Sequence, residues 1–175
     1  MKKVIRLLFI FISGLTFLSF IEPPKARINW ISLSKLNEVY AANPKPILVD
    51  VYTDWCGWCR EMERITYHNK KLVAYVNQHY YAVKLDAESP DSLVFNNRQF
   101  GYNATEKTNE LAAFLLSNRM EFPTTVFLPA MDAQPAPLAG YMNAREMEAP
   151  LKYFAEGSYR SKTFIEFNKG FKGEW

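Results

Sequence analysis

The sequence predicts an α/β fold, a small sheet with helices on both faces. Three observations carry this. Apolar runs of strand length alternate with segments whose apolar residues recur at helical spacing. One run, Ile47-Leu48-Val49-Asp50-Val51-Tyr52, is apolar except for a single acid, as expected of a strand buried on both faces. The chain has 175 residues, 49% hydrophobic and 15% aromatic, enough for one domain with a core and too apolar for a disordered chain.

In order, 28–31 reads as a short first strand, and Ser32 or Ser34 caps a helix running to about residue 42, with Leu33, Leu36, Val39 and Tyr40 on one side. Asn43-Pro44-Lys45-Pro46 breaks the chain before the strand 47–52. Helical stretches follow at 60–67 and 70–78, and 81–86 is the next strand. The polar segment 87–104 reads as a long loop, and 105–119 as a helix with Leu111, Phe114 and Leu115 on one side. Short strands at 124–128 and 137–141 flank a Pro-rich turn. Helices are expected at 144–156, despite Pro150, and at 162–168.

Charge separates the N-terminus from the rest. Residues 1–26 hold Lys2, Lys3, Arg6 and Lys25 against Glu22, whereas 27–175 hold 17 basic and 17 acidic side chains. A neutral folded part gives no electrostatic basis for binding nucleic acid. Residues 1–6 are basic, 7–21 are uncharged and apolar, and Glu22-Pro23-Pro24 stops a helix. That pattern describes an export signal or an N-terminal membrane anchor. Spanning hydrocarbon takes about 20 apolar residues, so an anchor would be short. If it is retained, residues 4–21 are the membrane contact; the domain proper is 27–175.

The two cysteines, Cys56 and Cys59, form a C-x-x-C motif that opens a helix just after the buried strand. Free backbone N–H groups at a helix start favour a thiolate on the first cysteine, and the second can attack the mixed disulfide that the first forms. A zinc site needs two further ligands, and His68 and His79 do not follow a zinc spacing. Haem attachment needs His after the second cysteine, where Arg60 stands. The motif therefore calls for redox chemistry with no metal and no cofactor.

Val49-Asp50-Val51-Tyr52-Thr53-Asp54-Trp55-Cys56-Gly57-Trp58-Cys59 resembles the active-site segment of thioredoxins. It is closer still to exported thioredoxin-like reductases, including the C-terminal domain of transmembrane thiol–disulfide interchange proteins. Asp50 stands where thioredoxins keep a buried acid, and Lys84 where they keep a lysine near it. Phe122-Pro123-Thr124 is similar to the segment with the cis proline, and Gly140 to the glycine of the last strand. The resemblance covers about 28–157. It implies a thioredoxin fold with a central mixed sheet, an insertion of about 88–108 before the cis-Pro strand, and an extra tail of about 158–175. It further implies Cys56 as the exposed nucleophile, Cys59 as the less exposed resolving thiol, and Asp50 with Lys84 as the proton-handling pair. Trp55, Trp58, Phe122, Pro123 and Thr124 become the substrate-binding set, with Trp55 packed beside the cysteines and Trp58 exposed. The Gly-Trp dipeptide departs from the Gly-Pro of thioredoxin, so the redox potential does not transfer.

The resulting expectation is an extracytoplasmic thiol–disulfide oxidoreductase that reduces disulfides in partner proteins. Its partners would be disulfide-containing exported proteins and an upstream thiol donor, such as a membrane electron transporter. Disulfide isomerase or oxidase activity, or a non-catalytic peptide-binding module, are the alternatives. Because the strand before the insertion ends at the same sheet edge as the strand before Cys56, the insertion with Phe95, Phe100 and Tyr102 is expected near the site, selecting partners.

Overall fold

A computed structural model describes residues 27–175, so the signal or anchor segment 1–26 lies outside the described residues. In chain order the elements are β1 (Trp30–Ile31), α1 (Leu33–Tyr40), β2 (Ile47–Tyr52), α2 (Gly57–Ile65), a 3-10 turn (Thr66–His68), α3 (Lys70–His79) and β3 (Tyr81–Asp86). There follow β4 (Leu93–Phe95), β5 (Arg98–Phe100), β6 (Tyr102–Asn103), β7 (Thr108–Asn109), α4 (Glu110–Leu115), β8 (Thr124–Leu128), β9 (Ala136–Ala139), α5 (Ala144–Ala155) and α6 (Phe164–Gly170). The main sheet runs β1-β3-β2-β8-β9; β1, β3 and β2 are mutually parallel, and β8 and β9 are antiparallel. No helix of the described residues is long and apolar enough to cross a membrane.

Period-two alternation sorts the sheet into two cores. Ile47, Val49 and Val51 join Val83, Leu85, Val126 and Leu128 against Leu36 of α1 and Leu111 and Leu115 of α4. Leu48, Ala82 and Phe127 point the other way, onto Met62 of α2, Leu72 and Val76 of α3, and Met147 and Leu151 of α5. Asp50 shares this second face with Leu48. Its register partners are Lys84 on β3 and Thr125 on β8. Pro150 lies inside α5, which stays continuous behind an Asn143–Glu146 capping box and buries Met147 and Leu151.

The segment expected as a polar loop followed by a long helix is two hairpins and a short helix. β4 and β5 pair across Asn96 and Asn97, both left-handed at φ 50° and 58°, a conformation that asparagine tolerates in tight hairpins. β6 and β7 pair next, and the helix begins only at Glu110 because Asn109 caps it, its carboxamide oxygen accepting the Leu111 N–H. The same carboxamide donates to the carbonyls of Ser89 and Asp91. Ser117 and Asn118, at φ 52° and 61°, end the helical stretch early. Phe95 and Phe100 are buried in the first core, so they anchor the insertion and do not present themselves to a partner; Tyr102 is exposed.

The tail is also ordered. Beyond α6 the chain returns to α5 and α3. The N–H groups of Glu174 and Trp175 donate to the carboxylate of Glu148, which is buried and paired with Lys152 at 2.9 Å. Trp175 meets Tyr75 edge-on, and the Lys71 ammonium donates to the Glu174 carbonyl.

Candidate functional site

β2 delivers the chain to a loop, Thr53-Asp54-Trp55, from which α2 starts with Cys56 as its N-cap. The Cys56 sulfur accepts the Cys59 N–H at 3.0 Å, so a free amide of the first helical turn is aimed at the first sulfur. A thiolate there is stabilised by this hydrogen bond and by the positive end of the helix. The two cysteines form a disulfide, Cα atoms 5.3 Å apart. In this oxidised form both are buried, at 4% and 8% exposure, so accessibility does not rank Cys56 above Cys59 as the resemblance implied. Surroundings separate them. Cys56 caps the helix, whereas Cys59, three residues on, lines a cavity of ≈ 250 Å³ with Asp50, Thr53, Glu63 and Lys84.

Asp50, one of the residues lining that cavity, is 4% exposed. Burial pushes its carboxyl from 3.8 up to about 6, against the Lys84 ammonium and a hydrogen bond from Tyr67 that both pull it down, while Glu63 adds to the rise. The Tyr67 hydroxyl donates to Asp50 Oδ1 at 3.1 Å, and Lys84 Nζ lies 3.5 Å from Oδ2. Lys84 is closer to Glu63, at 2.6 Å. Burial pulls the ammonium pKa down, but Asp50 and Glu63 outweigh it and hold it above its ordinary value. The Lys84 ammonium also lies 5.2 Å from the ring centroid of Trp30 and 5.3 Å from that of Tyr52. A carboxylate with a pKa of about 6 beside a buried thiol is suited to take its proton at neutral pH.

Glu63, Tyr67, Trp30 and Tyr52 escape a reading of the sequence alone. For Glu63 the signal was present: it stands four residues after Cys59, one helical turn along the same face.

Around the disulfide, Trp55 and Trp58 are each 64% exposed. Trp55 is therefore as open as Trp58; its ring meets the edge of Phe122 at 5.9 Å and its N–H donates to Glu88. Trp58 leans on Tyr141 at 5.5 Å. The Phe122–Pro123 peptide bond is cis, and the Pro123 carbonyl accepts the N–H of Gly140, which follows β9 with φ +99°. Thr124 is buried and its hydroxyl donates to the Glu121 carbonyl, so its side chain ties down the loop before the cis bond.

Comparison with known proteins agrees with this geometry. A solved thioredoxin-fold protein from Helicobacter pylori superposes with a TM-score of 0.54 at 18% identity, over 73% of this chain and 80% of that one. The solved structure of a DsbH oxidoreductase gives 0.54 at 19% identity, over 77% of this chain and 90% of that one. In sequence, the chain is 27% identical over 126 residues to the thiol:disulfide interchange protein DsbD of Pectobacterium atrosepticum, which covers 71% of this chain and 19% of that protein. It is 37% identical over 51 residues to the thioredoxin-like protein slr0233 of Synechocystis, 29% of this chain and 46% of that one. The chain thus spans about a fifth of the interchange protein and about half of the other relative. The family model Thioredox_DsbH, described as "Protein of unknown function, DUF255", matches residues 20–149. With this match over residues 20–149, a thioredoxin fold and a Cys56–Cys59 disulfide at a helix start, the chain belongs to the Thioredox_DsbH (DUF255) family.

Proposed function

We propose that the protein is an extracytoplasmic reductase of disulfides in partner proteins. The observation that carries this reading is the placement of the cysteine pair: Cys56 caps a helix, and Cys59 faces a buried carboxylate. In the reaction, the Cys56 thiolate attacks a partner disulfide and releases one partner thiolate. Asp50 takes the proton of Cys59, whose thiolate attacks the Cys56 sulfur. The Cys56–Cys59 disulfide forms, the second partner thiolate leaves, and the pair has given two electrons to the partner. An upstream thiol donor restores the dithiol. Strong oxidants of this chemistry stabilise the reduced thiolate heavily. Here the Cys56 sulfur receives a hydrogen bond from a neutral backbone N–H, and two carboxylates, Asp50 and Glu63, line the cavity behind Cys59. That environment, with Lys84 paired to both carboxylates, gives the reduced pair none of the heavy thiolate stabilisation of a strong oxidant, which supports the reductase reading. The basic and apolar segment 1–21 supports export.

Trapping tests the assignment. Cys59→Ala should accumulate mixed disulfides with partner proteins while Cys56→Ala does not; equal trapping by both, or by neither, overturns it. Insulin reduction by the wild-type protein should exceed the rate with dithiothreitol alone; no excess would favour a binding module. A potential near about −120 mV would make it an oxidase instead.

A further inference from the structure

The lysine at the site is held from more sides than its ion pairs require. Register places Trp30 opposite Ala82 and Tyr52 opposite Asp86, so Trp30, Lys84 and Tyr52 lie on one face of the adjacent strands β1, β3 and β2. The ammonium sits over both rings, at 5.2 and 5.3 Å, while touching Glu63 and Asp50. A lysine stem is flexible, and a side chain 31% exposed would ordinarily extend its head into water. Two ring faces attract the cation and oppose that escape.

We propose that Trp30 and Tyr52 are positioning residues, an aromatic clamp that keeps the Lys84 ammonium between Glu63 and Asp50 and so fixes the charge Asp50 faces when Cys59 gives up its proton. The kinetic part rests on the reading above, in which Asp50 is the base for Cys59. The groups facing Asp50 and Lys84 are Tyr52 on β2, Asp54 in the following loop, Cys59, Arg60 and Glu63 on α2, Tyr67 in the 3-10 turn and Asp86 on β3. Of the two acids that hold Lys84, Glu63 is the closer and the more exposed, 39% against 5%. An unclamped ammonium therefore swings outward with Glu63 and leaves Asp50 first. Asp50 then holds its proton more tightly, and its carboxylate is scarcer at neutral pH.

The test uses Trp30→Leu, Trp30→Phe, Tyr52→Leu and Lys84→Met, with two readouts. The first is the carbon-13 NMR titration of the Asp50 carboxyl in the disulfide form, where the cysteines do not titrate. The second is the pH profile of single-turnover release from a Cys56 mixed disulfide. Trp30→Leu should raise the Asp50 midpoint by about half a unit to one unit, a threefold to tenfold change in its proton affinity. Trp30→Phe, which keeps a ring face, should raise it less. In a Lys84→Met background Trp30→Leu should move it no further. An unchanged midpoint in a folded Trp30→Leu protein overturns the clamp, and so does an equal displacement with and without Lys84, since the ring would then act by packing alone. If Trp30→Leu does not fold, Tyr52→Leu is read by the same criteria. A midpoint that moves while the release profile stays fixed upholds the clamp and removes Asp50 as the base for Cys59.

Discussion

Asp50 is a buried acid whose charge the fold tolerates at a cost. Its pKa rises from 3.8 to about 6, so the folded protein binds this proton more tightly than the unfolded chain does. The stability it contributes is present when the group is protonated and is lost as pH climbs from about 4 through about 6. A shift of about two units corresponds to about 3 kcal/mol at neutral pH. Asp50→Asn should therefore stabilise the fold by about 2–3 kcal/mol at pH 7 and by little at pH 4, read from urea unfolding across pH. The same variant should slow release of a mixed disulfide on the order of 10²-fold and remove the acid limb near pH 6, with first attack by Cys56 unchanged. At this scale the sequence was informative wherever chemistry was local. A lone acid in an apolar run and a C-x-x-C at a helix start declare themselves. Tyr67 and Trp30 reach the site only because a turn and a neighbouring strand carry them there, and the openness of Trp55 depends on what fails to cover it.

Among the elements, the insertion is where sequence and structure part most. Its short apolar run, Leu93, Val94 and Phe95, before Asn96-Asn97 was a hairpin signal, masked by the surrounding polar residues. The helix expected over 105–119 shrank to α4 because Asn109 found partners far along the chain, which no periodicity reveals. With Phe95 and Phe100 in the core, the insertion is part of the domain's stability. Phe100→Ala should cost about 3–5 kcal/mol in urea unfolding, whereas Tyr102→Ala should stay within about 0.5 kcal/mol. Replacing 90–103 by a Gly/Ser linker should consequently lower activity toward insulin and toward a native partner together. The strands β2, β3 and β8 were legible because each is an apolar run of strand length, and the helix after Cys56 because the C-x-x-C motif marks its start.

For the molecule as a whole, the expected order of strands and helices holds outside the insertion, and the tail is tied to it by one buried carboxylate. Burial pushes Glu148 up, but Lys152 and the N–H groups of Glu174 and Trp175 outweigh it and hold its pKa below the ordinary value. That stabilisation is present at neutral pH and fades as pH falls through the lowered value. Glu148→Ala leaves two amides without their acceptor and Lys152 with only the exposed Glu174 carboxylate, and should cost about 2–4 kcal/mol. Limited proteolysis should then cleave near residues 171–175 sooner than in the wild type. The sheet sets a different kind of limit. β2 is hydrogen-bonded on both edges, parallel to β3 and antiparallel to β8, so its register is fixed twice. Losing one codon within 47–49 would turn Asp50 to the opposite face, among Leu36, Leu111 and Leu115, and set an apolar side chain in its place beneath Cys59. A substitution at Asp50 removes only the base, whereas a one-residue frame slip in β2 destroys the base and the core in one genetic event.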